Sequence, residues 1–421
     1  MRAPAPPPIA LRWLFAAAMA ASLLVAAFGG LLLGVLAAFD TGPAADNWSR
    51  VVQAHGHLQL FGWVAVFVGA LAMEFIIRLN QRGPLPAKVR LAAVAGLSAG
   101  GIGGAGGQLA GWEWLWTVGS VLALAGAVTL AAAIFSVRPA RRWNDDPHWL
   151  FFRAAMCWLV VAAGASVAMA MRSTQGVARL DDARAVNELM LRGFVTLMID
   201  GVGLRAFQGH LGTGPANTKA ALASFGLMNG GLVAWALGSG AFGLPEAWGL
   251  RTTGDLAHAA GFVTIALALG IPGVFGRVLR GELFVTLVGL SWVGAAAYVA
   301  LLVGQALVSP ATDPGMYAAG ATRHAFLAGF MAPLMLAMAH IVLARFGTGR
   351  VAFGKLLTAA FALVMVAWPL RVAAALVSDA PGTAAKAVLG GAGVATMAAF
   401  VLAALVCAVN ARAIFRAQRQ G

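Results

Sequence analysis

Two histidines one glycine apart, His55-Gly56-His57, stand at the start of the apolar run Leu58-Gln59-Leu60-Phe61-Gly62-Trp63. The chain has seven histidines and few other side chains able to do chemistry. Neutral imidazole is a standard ligand for haem iron and copper. His258 and His324 open later apolar runs in the same way. Haem iron takes axial ligands on opposite faces of a flat ring, so its histidines must come from facing helices. On a regular helix, however, His55 and His57 point about 200° apart. Both reach one iron only if the turn is irregular, which Gly56 would permit. Otherwise one ligates and the other faces a second metal, a hydrogen-bond partner or the water interface. The rival reading of each single histidine is an ordinary interfacial side chain.

The elements that must carry these residues are membrane helices. Of 421 residues, 61% are hydrophobic and only 10% charged, where a soluble domain carries roughly 25%. Apolar runs of about 20 residues recur along the chain, each able to cross a bilayer core of about 30 Å. They are continuous, which excludes the alternating segments of a transmembrane barrel. About twelve spans are expected, beginning near Arg12, His55, Lys88, Trp114, Trp149, Asn187, Asn217, Thr253, Glu282, Thr322, Phe353 and Ala384. Residues 1–421 then form a single all-α integral-membrane domain. The first run is read as a retained helix, being long for a signal peptide. The third, with Gly100-Gly101-Ile102-Gly103-Gly104, is the weakest helix, since glycine lowers helix propensity. Cys157 and Cys407 lie in apolar runs and read as packed thiols.

The net charge of +14 is a topology signal, not a nucleic-acid one. With both termini cytoplasmic, about two-thirds of the Lys and Arg fall on the inside, as the positive-inside rule requires. That sidedness puts His55, His57, His258 and His324 at one depth in the outer leaflet, on spans two, eight and ten. His148 and His210 read as inner loop residues. His340 follows His324 by about 24 Å of helix and cannot share its site.

Arg371 lies in the outer half of span eleven, after Pro369. A charge there costs about 2.5–3.5 kcal/mol and needs an anionic partner; a haem propionate is one, taken bidentately by guanidinium. Arg192 and Arg323 sit at similar depth, but pairing with Glu188 or Asp181 is the better reading for them, as Asp379 is the local alternative for Arg371. Glu74 and Asp200 are expected to pair with Arg78 and Arg205. Trp48, Trp112, Trp114 and others near span ends form an aromatic belt, and Trp63 reads as core packing.

His55-Gly56-His57-Leu58-Gln59-Leu60-Phe61-Gly62 resembles the H-A-H-E-M-L-F-G motif of the NnrS family at identical spacing. Leu256-Ala257-His258-Ala259-Ala260-Gly261-Phe262 is similar to that family's L-H-x-G-Y helix start, with one residue inserted. The run from His324-Ala325-Phe326-Leu327-Ala328-Gly329 through Met335-Leu336-Ala337-Met338 to Gly347-Thr348-Gly349-Arg350 resembles its H-A-L-T-x-G…M-x-L-A-M…G-H-T-G-R segment. The resemblance implies a multi-pass protein of the bacterial inner membrane that binds haem, and copper in some form, and serves nitric oxide metabolism or the nitrosative stress response. Its partners would be a diatomic gas such as nitric oxide and an electron-donor protein. By position it implies His55, His57, His258 and His324 as metal ligands, with Arg371 beside the cofactor. The family's layout is distantly reminiscent of the haem-copper oxidase catalytic subunit. Leu58 replaces the family's glutamate, Ala54 its preceding tryptophan and Phe346 a later histidine; no adjacent histidine pair is present for an oxidase copper centre. A haem site is therefore favoured over a copper site. Any enzyme activity would be an oxidoreductase reaction on a diatomic gas, in the manner of a small haem-copper reductase. The alternative from another class is a secondary transporter of a small anion, built as two six-helix halves; no second repeat is evident in the sequence.

Overall fold

The computed structural model describes residues 12–79, 85–138, 145–278, 283–308, 315–347, 349–377 and 382–420. The protein is a helical multi-pass membrane protein. Twelve helical rods account for these residues: α1 Trp13–Phe39, α2 Pro43–Leu79, α3 Ala87–Ala110, α4 Glu113–Ser136, α5 His148–Met171, α6 residues 180–211, α7 Thr218–Leu237, α8 Trp248–Ala268, α9 Leu283–Val308, α10 Ala319–Arg345, α11 Gly354–Leu376 and α12 Thr383–Ala417. Ten are long and apolar enough to cross a membrane as single helices. α8 qualifies together with Ile271–Val278, which follows a 62° bend. α6, with Asp181, Asp182, Arg184, Glu188, Arg192, Asp200 and Arg205, is too charged for that test. Glu282, expected to open span nine, lies outside the described residues.

Three starts differ from expectation. α2 begins at Pro43 and kinks at the non-helical Asn47, so the histidine motif lies well inside the helix instead of at its mouth. Pro43 suits a first helical position, where its missing N–H costs nothing. α6 begins at Leu180 and the helical segment leading into α10 at Gly315. The early turns of α2 and α6 are polar and escape a hydropathy reading. α3 is continuous despite its glycines, which serve close packing: a Cβ at Gly96 would meet the Gly126 backbone of α4 at 2.9–3.0 Å, the small-residue logic of membrane helix pairs.

The rods repeat in threes. α2, α6 and α10 run through the middle of the bundle; the apolar windows of α2 and α10 are 89% and 78% buried, against 33–50% for the other single-helix spans. Each is followed by a tightly packed hairpin, α3/α4, α7/α8 and α11/α12, and contacts α12·α1, α4·α5 and α8·α9 close the outer ring. Each central helix also widens to a π-helix for seven residues, Leu58–Val64, Leu189–Val195 and Ala325–Met331. In all three a glycine and an aromatic follow at the same offset: Gly62-Trp63, Gly193-Phe194 and Gly329-Phe330. Three four-helix units, not two six-helix halves, describe the chain, which removes the architectural support for the transporter reading. π turns concentrate at functional sites, because their altered register frees backbone carbonyls.

Candidate haem site

The helix around the histidine motif is regular up to His57, and the π segment starts one residue later. His55 and His57 therefore leave α2 on opposite sides, as a regular helix requires. His55 faces His324 of α10: the two imidazole centroids are 6.5 Å apart and their planes only 11° from parallel. Two metal–imidazole bonds of about 2 Å, with roughly 1 Å from each nitrogen to its ring centre, span ~6 Å. The pair thus has the separation that two imidazoles holding one metal ion would need.

The tautomers agree with that role. His55 Nδ1 lies 2.6 Å from the Gly30 carbonyl and His324 Nδ1 2.6 Å from the Gly320 carbonyl. Each Nδ1–H donates to backbone, which leaves Nε2 as the lone-pair nitrogen and fixes the ring, as the outer partner of a metal-bound histidine does. Gly30 belongs to a further π segment, Val25–Leu31 of α1. Gly34, one turn on, leaves space for the ring: a Cβ there would meet His55 Cε1 at 3.0 Å.

Both histidines line a chamber with a cavity volume of about 180 Å³. Its walls are mostly apolar, including Val52, Leu60, Leu191 and Leu327, with Arg323 and Arg371 as its cations. The Arg371 Nη1 also donates to the Leu389 carbonyl at 3.4 Å. Its expected local partner Asp379 lies outside the described residues. A ring cofactor bearing carboxylates fits this donor set: two neutral imidazoles, an apolar slot and guanidinium at its edge.

The other histidines do not line this chamber. His57 is buried, with its Nε2 unpartnered, against Gly104 of α3 and beside Phe61 at 4.9 Å. His258 is fully buried among Phe262 and Tyr298, with ring centroids 6.5 and 6.3 Å away. His148 is no loop residue: it starts α5, is buried and hydrogen-bonds Asp146. His210 ends α6 against Phe284, so it too is helical, and His340 Nε2 lies 3.5 Å from Thr358.

The buried charges mostly pair. Arg192 donates to Glu188 at 2.7 Å and to Asp255 at 2.5 Å, and Arg323 donates to Glu188 at 3.1 Å. Asp255 was not foreseen, being an α8 residue 63 positions from Arg192 in sequence. Glu74 pairs with Arg90 more closely than with Arg78, which is 3.6 Å away. Asp200 contradicts expectation: it is fully buried with neither carboxylate oxygen partnered, because Arg205 reaches Asp146 at 3.3 Å instead. Trp63 packs on Phe400 at 4.6 Å, and Trp112 and Trp114 are exposed as a belt requires. Cys407 is buried, but Cys157 is exposed on the outer side of α5.

Neither the family models nor the curated proteins contain a match to this chain. Among solved structures, the chain is similar to a haem-copper terminal oxidase determined as a dimer by cryo-electron microscopy. The likeness has a TM-score of 0.63 at 11% identity and covers 97% of this chain and 84% of the other. At that identity the likeness is one of fold: this chain shares the helical membrane architecture of that oxidase.

Proposed function

We propose that this protein is a haem-binding membrane protein in which His55 and His324 would hold the group and Arg371 and Arg323 would meet its carboxylates. The observation that carries the reading is the 6.5 Å, near-parallel imidazole pair, with each Nδ1 held by a backbone carbonyl. A bound haem would supply one-electron transfer, with His55 and His324 holding it. The chain's own part is to keep both imidazoles neutral and oriented, exclude water with Val52, Leu60 and Leu327, and neutralise carboxylates at the edge. The oxidase fold is consistent with this assignment.

The physiological reading is NnrS-like: nitric oxide metabolism or nitrosative stress response in a bacterial inner membrane, with both termini cytoplasmic and electrons from a donor protein. It rests on the motif resemblance, as does copper. Purified protein, expressed with haem precursor, is expected to show a Soret band and iron by elemental analysis. Absence of both overturns the proposal. Consumption of nitric oxide by reduced protein tests the gas assignment separately; inert protein with intact haem would remove that assignment and leave the haem.

A further inference from the structure

α5 carries an arginine on the face it turns to lipid. Arg153 stands five residues into the 24-residue helix His148–Met171. At about 1.5 Å per residue that helix is ~36 Å long, and Arg153 lies ~7.5 Å from its start. A hydrocarbon core of about 30 Å leaves ~3 Å of helix outside it at each end, so Arg153 sits just below the headgroup boundary. Cys157 and Val161, one and two turns on along the same face, are exposed. So are Phe135 and Val128 of the neighbouring α4.

An arginine at this depth ordinarily snorkels to water on a free side chain. Arg153 is instead seated between the two helices. Its guanidinium carbon lies 5.4 Å from the centre of the Phe135 ring and 5.7 Å from that of Trp149, one turn back on α5, within cation–π range. Its Nε is buried without a hydrogen-bond partner, which leaves the two Nη groups to take a ligand. Asp146 is held by His148 and Arg205, and Glu74 by Arg90 and Arg78. No ion pair among the described residues includes Arg153. A charge kept here without a protein counter-ion calls for an anion from the membrane. A phospholipid supplies one at the right height, and guanidinium is the side chain best shaped to take a phosphate. Arg138, exposed just past the end of α4, adds a second cation.

We propose that the groove between α4 and α5 binds an anionic phospholipid, its phosphate on Arg153 and Arg138 and one acyl chain along Cys157 and Val161. The apolar groove leading away from the cations favours a lipid over free phosphate. The two cations favour phosphatidylglycerol over phosphatidylcholine, whose own positive charge they would meet. The site stands apart from the haem chamber, sharing no helix with His55 or His324.

Cys157 makes the test local. It is exposed while Cys407 is buried, so a bimane label on the full-length protein reports on the groove. In phosphatidylcholine nanodiscs, brominated phosphatidylglycerol is expected to quench the label roughly fivefold more than the same fraction of brominated phosphatidylcholine, the factor set by one basic residue at the surface. Arg153→Met should abolish that preference, and Phe135→Leu, which keeps the cation but removes its aromatic seat, should reduce it. Equal quenching by the two brominated lipids in the wild-type protein, or a preference that survives Arg153→Met, overturns the proposal. If Arg153→Met loses its helical circular dichroism, Phe135→Leu decides, and an unchanged preference there overturns it. Loss of the preference on adding inorganic phosphate at constant ionic strength overturns the lipid assignment in favour of a free-anion site.

Discussion

Removing Arg192 tests how the ion pairs between α6 and α8 hold. Arg192 is 5% exposed and bridges Glu188 and Asp255, both 8% exposed. In Arg192→Leu the two acids do not suffer equally. Glu188 keeps Arg323 at 3.1 Å. Asp255 loses its 2.5 Å partner, and the nearby Arg251 is already turned toward Glu246 at 3.5 Å. Stripping one member from a buried ion pair costs about 3–5 kcal/mol, most of it the stranded charge. Replacing a whole pair by apolar groups is close to neutral. Arg192→Leu should therefore cost about 3 kcal/mol or more, and adding Asp255→Leu should recover most of that. Adding Glu188→Gln instead should recover little, because it deprives Arg323 of its acid. Unfolding free energies in mixed detergent micelles measure the cycle. An Arg192→Leu protein within about 0.5 kcal/mol of wild type, or equal rescue by both second changes, would refute this reasoning.

Three further outcomes follow from particular contacts. Gly34→Leu places a side chain where even a Cβ lies 3.0 Å from the His55 ring, so haem bound by the pair should be lost while circular dichroism stays helical; normal haem loading would count against the His55 rotamer. Asp200→Leu removes a buried carboxyl with no partner and should be neutral or stabilising by about 1–3 kcal/mol; clear destabilisation in micelles would mean the acid has a ligand. Glu74→Gln removes the carboxylate charge that faces the buried Arg90 and should destabilise the protein in the same assay, with the haem spectrum unchanged because the pair lies far along α2 from His55.

Much of the architecture is legible in the sequence because hydropathy reports length directly. Runs of apolar residues locate the rods, and a 3.6-residue turn separates His55 from His57 before any coordinates exist. The pairing of Arg192 with Glu188 is one helical turn away and could be anticipated, whereas Arg323 reaches Glu188 across 135 residues and only their shared depth suggested it. Depth alone, however, groups His258 with His324. Only helix azimuth shows that His324 turns toward His55 while His258 turns into an aromatic cluster with Tyr298 and Phe262. The threefold repeat escapes sequence reading for a related reason. Its units share little more than Gly62-Trp63, Gly193-Phe194 and Gly329-Phe330, whereas the residue just before each π segment varies, being His57, Glu188 or His324. The start of α2 was obscured by Asp46, Asn47, Ser49, Arg50 and Gln53, a polar stretch that kinks at Asn47 and whose Arg50 and Gln53 donate to the Gln175 and Ala178 carbonyls. Asp200 defeats a local rule outright: Arg205 lies five residues on and is taken by Asp146 from the preceding connection.

The most direct test of the central claim is the electron paramagnetic resonance spectrum of the oxidised, haem-loaded protein. Axial imidazoles whose planes are 11° from parallel should give a rhombic low-spin ferric signal, lost in both His55→Ala and His324→Ala. A purely high-spin spectrum, or a low-spin signal that survives either substitution, would contradict the assignment of His55 and His324 as the axial pair.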